Sequence, residues 1–177
     1  FGNQVTSYTL GSEVTAIGAY AFYGCTNMTQ VTFQGPVSSM GTNAFNNCTG
    51  LTRVNISDLN AWCGINFNHY TSNPLYYTHH IYHNGNLVNN LDNLGSPASI
   101  GTYAFYGCTD LTSVTIPSSV QSVGNYAFDG CLALTSVTIN SNAVASAAYS
   151  YYSDNFKTRF GNQVTSYTLG SEVTAIG

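Results

Sequence analysis

The chain has 177 residues, of which 44% are hydrophobic and only 6% are charged. Its three basic side chains, Arg53, Lys157 and Arg159, form no cluster, and the formal net charge is −4. Nucleic acids and anionic membrane surfaces are bound by clustered lysine and arginine, so neither is expected as a partner. No run of about 18 apolar residues exists, so no membrane insertion is predicted. The weakly charged, hydroxyl-rich composition favours a secreted or cell-surface protein.

The chain opens on a partial version of a unit that then recurs. In residues 1–10, FGNQVTSYTL, the residues Val5, Tyr8 and Leu10 align with residues one 23-residue step later. Fuller copies occupy 17–33, 40–56, 100–120 and 123–139. The aligned columns hold glycine (Gly18, Gly41, Gly101, Gly124), phenylalanine (Phe22, Phe45, Phe105, Phe128), cysteine (Cys25, Cys48, Cys108, Cys131), leucine or methionine (Met28, Leu51, Leu111, Leu134), valine (Val31, Val54, Val114, Val137) and a last apolar residue (Phe33, Ile56, Ile116, Ile139). A period in the twenties with this apolar core is typical of a leucine-rich-repeat-like solenoid.

Each copy predicts one turn of such a solenoid. The ending TSVTI alternates apolar and hydroxyl residues, which predicts a strand with Val and Ile inside and Ser and Thr outside. YAFYGC predicts a tight turn, and the recurring glycine suits positive φ or close backbone approach. One unit cannot bury its apolar side alone, so neighbours must stack. We expect a repeat solenoid, mainly β with short turns and helices, coiling right-handed with a helix-plus-hairpin insertion.

The insertion spans 57–87, where the period is lost. SDLNAWCGI predicts a short helix capped by Ser57 or Asp58. Asn84-Gly85, between β-favouring runs, predicts a hairpin. Val88 and Leu91 resume the columns, and Asn93, where isoleucine is expected, indicates a weaker or shifted rung.

A second break spans 140–159, and its Ser153 is a candidate cap for a helix carrying Phe156 and Phe160. Residues 160–177 then repeat residues 1–18 without a change. We therefore divide the chain into one module, 1–159, and the start of an identical next module, 160–177. Uncapped rungs at both ends predict head-to-tail self-association.

Five cysteines are present, four of them in the repeat column and Cys63 outside it. Column neighbours Cys25 and Cys48, or Cys108 and Cys131, fall within disulfide reach if the rungs stack. Buried packing thiols are the simpler interpretation, and the disulfide alternative stays open.

The pattern G-x-x-A-F-x-x-C-x-x-L-x-x-V-x-I, together with the run 62–91, resembles the BspA-like leucine-rich-repeat family of bacterial surface proteins. The resemblance covers nearly the whole chain. It implies a surface-exposed or secreted solenoid, often in tandem, and some members adhere to host matrix proteins or to other bacteria. The stretch 92–95, DNLG, departs from the family pattern.

Residue types with catalytic or metal-binding potential form no recognisable site. On a strand, His79 and His83 would share a face and His80 would point away, with His69 nearby; zinc needs three or four convergent ligands. Carboxylates are dispersed and no G-x-S-x-G elbow occurs. We predict no catalytic residues, no metal and no cofactor.

Two surfaces remain as candidates for binding. Tyrosines concentrate in the breaks, at Tyr76, Tyr77, Tyr82, Tyr149, Tyr151 and Tyr152, and they either bind a partner or cover the solenoid edge. The second surface is the outward strand face, with Ser7 and Thr9 at its start and the candidate ligand-binding residues Gln30, Thr32, Arg53, Asn55, Ser113, Thr115, Ser136 and Thr138. We predict a non-enzymatic interaction module that adheres to a host or bacterial surface protein or glycan; the alternative is a structural spacer without a ligand.

Overall fold

The computed structural model describes residues 4–148 and 155–177. Within these ranges the chain forms a β-solenoid of about six turns, as the repeat predicts. Its strands are β1 Ser7–Leu10, β2 Ala16–Ile17, β3 Gln30–Phe33, β4 Ser39–Met40, β5 Arg53–Ile56, β6 Ile81–His83, β7 Asn86–Leu87, β8 Asn90–Leu91, β9 Ser113–Ile116, β10 Ser136–Ile139 and β11 Ser166–Leu169.

Strands one repeat apart pair in parallel and keep the columns in register. Val31 lies opposite Val54, and Val114 lies opposite Val137. The apolar residues of β3, β5, β9 and β10 are buried, while the residues between them are half-buried or exposed. The predicted alternation is therefore confirmed. Because a parallel in-register ladder places like side chains above one another, each rung completes the core of its neighbour.

The phenylalanine column forms stacked pairs in the core. The rings of Phe22 and Phe45 lie 4.9 Å apart at 20°, and those of Phe105 and Phe128 lie 5.3 Å apart at 7°. All four side chains are almost fully buried. Offset stacks of this kind add to the free energy of burial.

The tight turn before each strand contains two left-handed backbone positions per repeat. The first falls at Tyr20, Asn43, Tyr103 and Tyr126, and the second at Gly24, Asn47, Gly107 and Gly130. The glycine column is explained instead by the close approach of backbone from the preceding turn. A Cβ on Gly41, Gly101 or Gly124 would overlap the backbone of the preceding turn, whereas Gly18, which has no turn before it in the described chain, has open space.

The first break is joined to the core by two side chains that meet the same turn. It contains α1 (Leu59–Cys63), a 3₁₀ helix (Tyr70–Ser72) and α2 (Leu75–Thr78). Asp58 caps α1 by accepting a hydrogen bond from Ala61 N, which decides between the two predicted caps. Trp62 Nε1 donates to Ala104 O at 2.9 Å, and the fully buried Asn73 amide donates to Ala104 O at 3.2 Å.

The predicted hairpin forms around Asn84 and Gly85, both with positive φ. Its first strand, β6, pairs in parallel with β5, so this strand is itself a rung of the solenoid. Its second strand, β7, runs antiparallel along the free edge of β6. The ladder is consequently divided into one sheet ordered β1-β3-β5-β6-β7 and another ordered β8-β9-β10-β11.

The rung after the hairpin is short but not shifted. β8 has two residues, and Leu91 lies opposite Val114 as the columns require. The second break contributes α3 (Asn142–Ala145) and α4 (Phe156–Phe160). Asn155 caps α4, with Thr158 N donating to its side chain at 3.1 Å, while Ser153, the predicted cap, lies outside the described residues.

Candidate functional site: the strand face and the tyrosine cluster

The first sheet presents Gln30, Thr32, Arg53 and Asn55 outward in two parallel rows. Gln30 lies beside Arg53 and Thr32 beside Asn55 in the β3–β5 register. All four are half-buried, and Gln30 Nε2 donates to Thr32 Oγ1 at 3.3 Å. The side chains of Gln30 and Thr32 are therefore partly ordered in the absence of a ligand.

Arg53 and Asn55 also hold the hairpin. The Arg53 guanidinium carbon lies 3.7 Å from the centroid of the Tyr82 ring, and its Nη2 donates to Gly85 O at 3.1 Å. Gly85 N in turn donates to Asn55 Oδ1 at 2.8 Å. A guanidinium stacked on tyrosine is stabilised by a cation–π interaction. These contacts fix the hairpin tip against the strand face, a role that sequence analysis did not assign to Arg53.

The second sheet presents Ser113, Thr115, Ser136 and Thr138, and it adds a carboxylate that sequence analysis did not place there. Ser113 Oγ donates to Asp92 Oδ2 at 2.7 Å, and Thr115 Oγ1 donates to Asp92 Oδ1 at 3.4 Å. Asp92 follows β8 directly and is exposed. The sequence feature that could have indicated this role is the departure from the family pattern at residues 92–95. There Asp92 occupies the outward position that Thr115 occupies one repeat later.

The eight predicted strand-face residues thus form two groups of four, not one continuous surface. β7 closes the edge of the first sheet, so the hairpin stands between the groups. Apart from Arg53, the eight side chains are hydroxyls and amides that donate and accept hydrogen bonds. Such side chains are suited to a polar ligand and supply no activated nucleophile.

A second surface feature, the tyrosine cluster, consists of the exposed His69 and the half-buried Tyr70, Tyr76, Tyr103 and Tyr106. Ring centroids of Tyr70 and Tyr106 lie 5.4 Å apart at 24°, and those of Tyr70 and Tyr76 lie 4.8 Å apart. Burial, followed by neighbouring tyrosine and aspartate charges, raises the pKa of Tyr103 and of Tyr106 above the ordinary value. Sequence analysis named Tyr76 but not the two repeat tyrosines, whose signal was their fixed place in YAFYGC.

The other tyrosines of the first break stabilise the fold. Tyr77 Oη accepts from Asn47 N at 2.9 Å and donates to Asn46 Oδ1 at 3.2 Å, and Tyr82 lies under Arg53. For these two residues the covering interpretation holds. Tyr149, Tyr151 and Tyr152 lie outside the described residues.

The histidines point to separate partners. His79 ends α2 in the left-handed conformation and the strand begins only at Ile81, so the prediction of a strand face shared by His79 and His83 is wrong. His80 Nδ1 contacts Asp110 Oδ2 at 2.5 Å, and His83 Nε2 contacts Ser57 O at 3.3 Å. Within residues 4–148 and 155–177, no three His, Cys, Asp or Glu side chains come together to hold a metal ion.

All five cysteines are buried free thiols, which confirms the packing interpretation. Cys48 Sγ donates to Phe22 O at 3.0 Å, and Cys131 Sγ donates to Phe105 O at 3.2 Å. The thiols of Cys48 and Cys131 therefore bond to the preceding turn of the solenoid. Burial raises the pKa of Cys48, Cys63 and Cys131 to about 12 each and holds that of Cys108 well above its usual range. Such thiols are unreactive in the native state.

In the described part of the chain, no helix is both long and apolar enough to cross a bilayer.

Comparison with known proteins gives one family match. The family model described as "BspA type Leucine rich repeat region (6 copies)" matches residues 1–73 and 78–177. None of the curated proteins matches the chain.

Solved structures match the chain at low identity, and the first two of the following share its fold. A T. pallidum leucine-rich-repeat protein is 22% identical with a TM-score of 0.54, and the match covers 94% of this chain and 70% of that one. A leucine-rich-repeat protein from Bacteroides ovatus is 19% identical with a TM-score of 0.52, covering 96% of this chain and 44% of that one. A leucine-rich cell surface protein from Faecalibacterium prausnitzii is 20% identical with a TM-score of 0.33, covering 96% of this chain and 62% of that one.

Proposed function

The chain belongs to the BspA-type leucine-rich-repeat family, and from this we propose that it is a non-enzymatic interaction module of a cell-surface or secreted protein. Its role is adhesion to a protein or glycan of a host or bacterial surface. The strand face, with Gln30, Thr32, Arg53 and Asn55 on one sheet and a second group on the other, is the binding surface. The second group consists of Ser113, Thr115, Ser136 and Thr138.

The observation that carries the proposal is the regular spacing of short polar side chains on a rigid ladder. Ser113 lies opposite Ser136, and Thr115 lies opposite Thr138. Neighbouring rungs of a sheet lie about 4.8 Å apart, so hydroxyls repeat at a fixed interval. Because the backbone is held by parallel pairing and the side chains are short, little conformational freedom is lost on binding. Such a surface favours a repeating polar ligand such as a glycan or an extended protein segment.

Arrays of glycans and of matrix proteins test the proposal. Binding above background is expected for the parent chain, and Thr115→Lys or Thr138→Lys should abolish it by placing a long charged side chain in the row. Leu132→Lys is the matched control, because Leu132 is 71% exposed in the turn before β10. Equal binding by Thr115→Lys and Leu132→Lys would exclude the strand face as the binding surface.

Arg53→Glu is expected to abolish binding as well, but the substitution also releases the hairpin. Tyr82→Ala separates the two effects, since it removes the ring under the guanidinium and keeps the charge. If Tyr82→Ala binds as the parent does and Arg53→Glu does not, the Arg53 side chain itself contacts the ligand.

A structural spacer is the second candidate function, and one observation favours it. β11 pairs in parallel with β10, so the ladder passes from the first module into the start of the next. A continuous ladder of this kind gives a stiff array that holds another domain at a distance. A spacer would bind to no array, and the parent and Thr115→Lys would be indistinguishable in every assay.

A further inference from the structure

The strand ladder is interrupted between β7 and β8, and a cleft lies at this interruption. β7 is the last strand of the first sheet, and β8 is an edge strand of the second. Both strands line a cavity of about 280 Å³. A second cavity, of about 290 Å³, shares Leu59, His83 and Asn93 with the first and continues towards the start of α1. The two cavities together, formed by residues 57–95, are called the ladder cleft below.

Side-chain amides make up most of the polar lining of the ladder cleft. They come from both strands, from the segments around β8 and from α1, and they are Asn60, Asn86, Asn89, Asn90 and Asn93. An asparagine side chain offers one carbonyl acceptor and two N–H donors, and a sugar hydroxyl both donates and accepts. Amides are therefore matched to a ligand that carries several hydroxyls.

Some of these amides are oriented by the protein and others are available to a ligand. Asn90 Nδ2 donates to Asn89 Oδ1 at 2.9 Å. In the described part of the chain, the side chains of Asn60 and Asn93 make no hydrogen bond to another residue. Asn60 Nδ2 lies over Gly95, where an added Cβ would come within 2.7 Å of it. Asn60 and Asn93 can thus bond a ligand without giving up a partner in the protein.

Apolar side chains complete the lining. Leu91 and Leu94 are buried, whereas Leu87 of β7 is 45% exposed. Covering an exposed leucine with the C–H face of a sugar ring removes apolar surface from water, which favours binding. Small-molecule sites have volumes of roughly 300–1,000 Å³. Each cavity lies at the lower end of that range, which suits one sugar ring, and two adjoining cavities suit a disaccharide.

The charge of the lining excludes an acidic ligand. Among the described residues that line the cleft, Asp58 alone carries a formal charge, and its carboxylate already accepts from Ala61 N at 2.9 Å. Phosphates and carboxylates are recognised by arginine and lysine, and neither lines the cleft. The lining therefore favours an uncharged ligand.

We propose that the ladder cleft binds a neutral saccharide of one or two rings, either free or as the terminal unit of a glycan. Asn93 and Asn60 bond its hydroxyls, and Leu87 contacts the apolar face of a ring. None of the eight strand-face residues lines the cleft. The site is therefore separate from the strand face, and sugar binding here does not depend on the function proposed above.

Saturation-transfer NMR on the full chain tests the proposal with maltose, cellobiose, lactose and N,N′-diacetylchitobiose. At least one of these disaccharides should bind saturably, with a Kd of about 1 mM or tighter. N-acetylneuraminic acid, which is charged, should not bind. The inference is overturned if none of the four neutral sugars binds, or if the charged sugar binds more tightly than all of them.

Substitutions place the sugar in the cleft. Asn93→Leu keeps the size of the side chain and removes its polar atoms, so it should weaken binding about tenfold. Asn60→Leu, at an exposed position on α1, is a second variant with the same expected direction. Asn162→Leu is the matched control, because Asn162 is exposed and lies outside the lining. Circular dichroism confirms that each variant is folded. Parent-like binding by both cleft variants would overturn the inference.

Two further arms separate this site from the strand face and identify the source of the sugar. Thr115→Lys should bind the disaccharide as the parent does. Loss of binding in Thr115→Lys alone would move the sugar to the strand face, which overturns this inference and supports the function proposed above. The same disaccharide fixed to beads through its reducing end should retain the parent chain if the ligand is the end of a glycan; binding in solution only would assign the cleft to a free saccharide.

Discussion

The rings of Phe128 and Phe160 stack with centroids 5.5 Å apart at 11°, continuing the column of Phe105 and Phe128. Phe160 ends α4 and is fully buried, and Phe128 N donates to Arg159 O at 2.8 Å. The second break therefore supplies the next turn of the solenoid with a helix. The phenylalanine stack continues through residue 160, although only a partial copy of the repeat follows Phe160.

Phe105→Ala should lower the free energy of unfolding by about 3–5 kcal/mol, because it leaves a cavity between rungs where the side chain is now fully buried. Leu132→Ala, at a 71% exposed position, is the control and should change stability by less than about 0.5 kcal/mol. Denaturant unfolding followed by circular dichroism gives both values. Equal midpoints for the two variants would contradict the stacked core.

Gly101→Ala and Gly18→Ala should differ although the two glycines share one repeat column. The Cβ at 101 would overlap the backbone carbonyl of Ile65, so we expect a loss of about 1–3 kcal/mol. The Cβ at 18 meets nothing within 4 Å, so stability should stay within about 0.5 kcal/mol of the parent. Thermal unfolding of the pair measures the difference. A similar loss of stability at both positions would mean that the glycine column is required for its backbone conformation and not for the close approach of the neighbouring turn.

Trp62→Phe should destabilise the junction between the insertion and the repeats. The change removes the indole donor and leaves Ala104 O with one fewer partner in a buried site, at a cost of about 1–3 kcal/mol. Tyr20→Phe, at an exposed ring, is the control and should be neutral. Hydrogen exchange should show faster exchange in residues 59–75 of the Trp62 variant; exchange at the parent rate would argue against an anchoring role.

The buried thiols should make the fold sensitive to alkali. Their pKa values are raised from 9.0 to about 12 at Cys48, Cys63 and Cys131, so between these limits the unfolded chain releases protons that the folded chain retains. Stability from these groups is therefore complete below about pH 9 and is lost as the pH rises towards 12. Denaturant midpoints between pH 7 and 11 measure the slope.

In the same titration, the denaturant midpoint of Cys131→Ala should fall less steeply with pH than that of the parent. This comparison separates the contribution of the thiols to the pH dependence from that of the tyrosines. Labelling with a thiol reagent at pH 8 tests the burial of the thiols directly. The native chain should be unreactive and the denatured chain should expose all five thiols. Rapid labelling of the native chain would contradict the burial of the cysteine column.

Sequence analysis predicted those features that depend on one residue and its counterpart one repeat away. The Val31–Val54 pair, the Phe22–Phe45 stack and the buried thiol at Cys48 follow from the columns, because in-register stacking places each residue over its own equivalent. Local chemistry predicted the Asn84-Gly85 turn and included the Asp58 cap for the same reason, since each depends on neighbours in the chain.

The periodic sequence by itself determined the solenoid, its parallel register and the outward face of the strands. Only the tertiary structure decided that β7 divides the ladder, that Asp92 joins Ser113 and Thr115, and that Tyr70 meets Tyr106. The physical reason lies in the open edge of β6. An edge strand is satisfied equally well by a parallel rung or by an antiparallel hairpin, and the path of a non-repeating segment determines which of the two occurs.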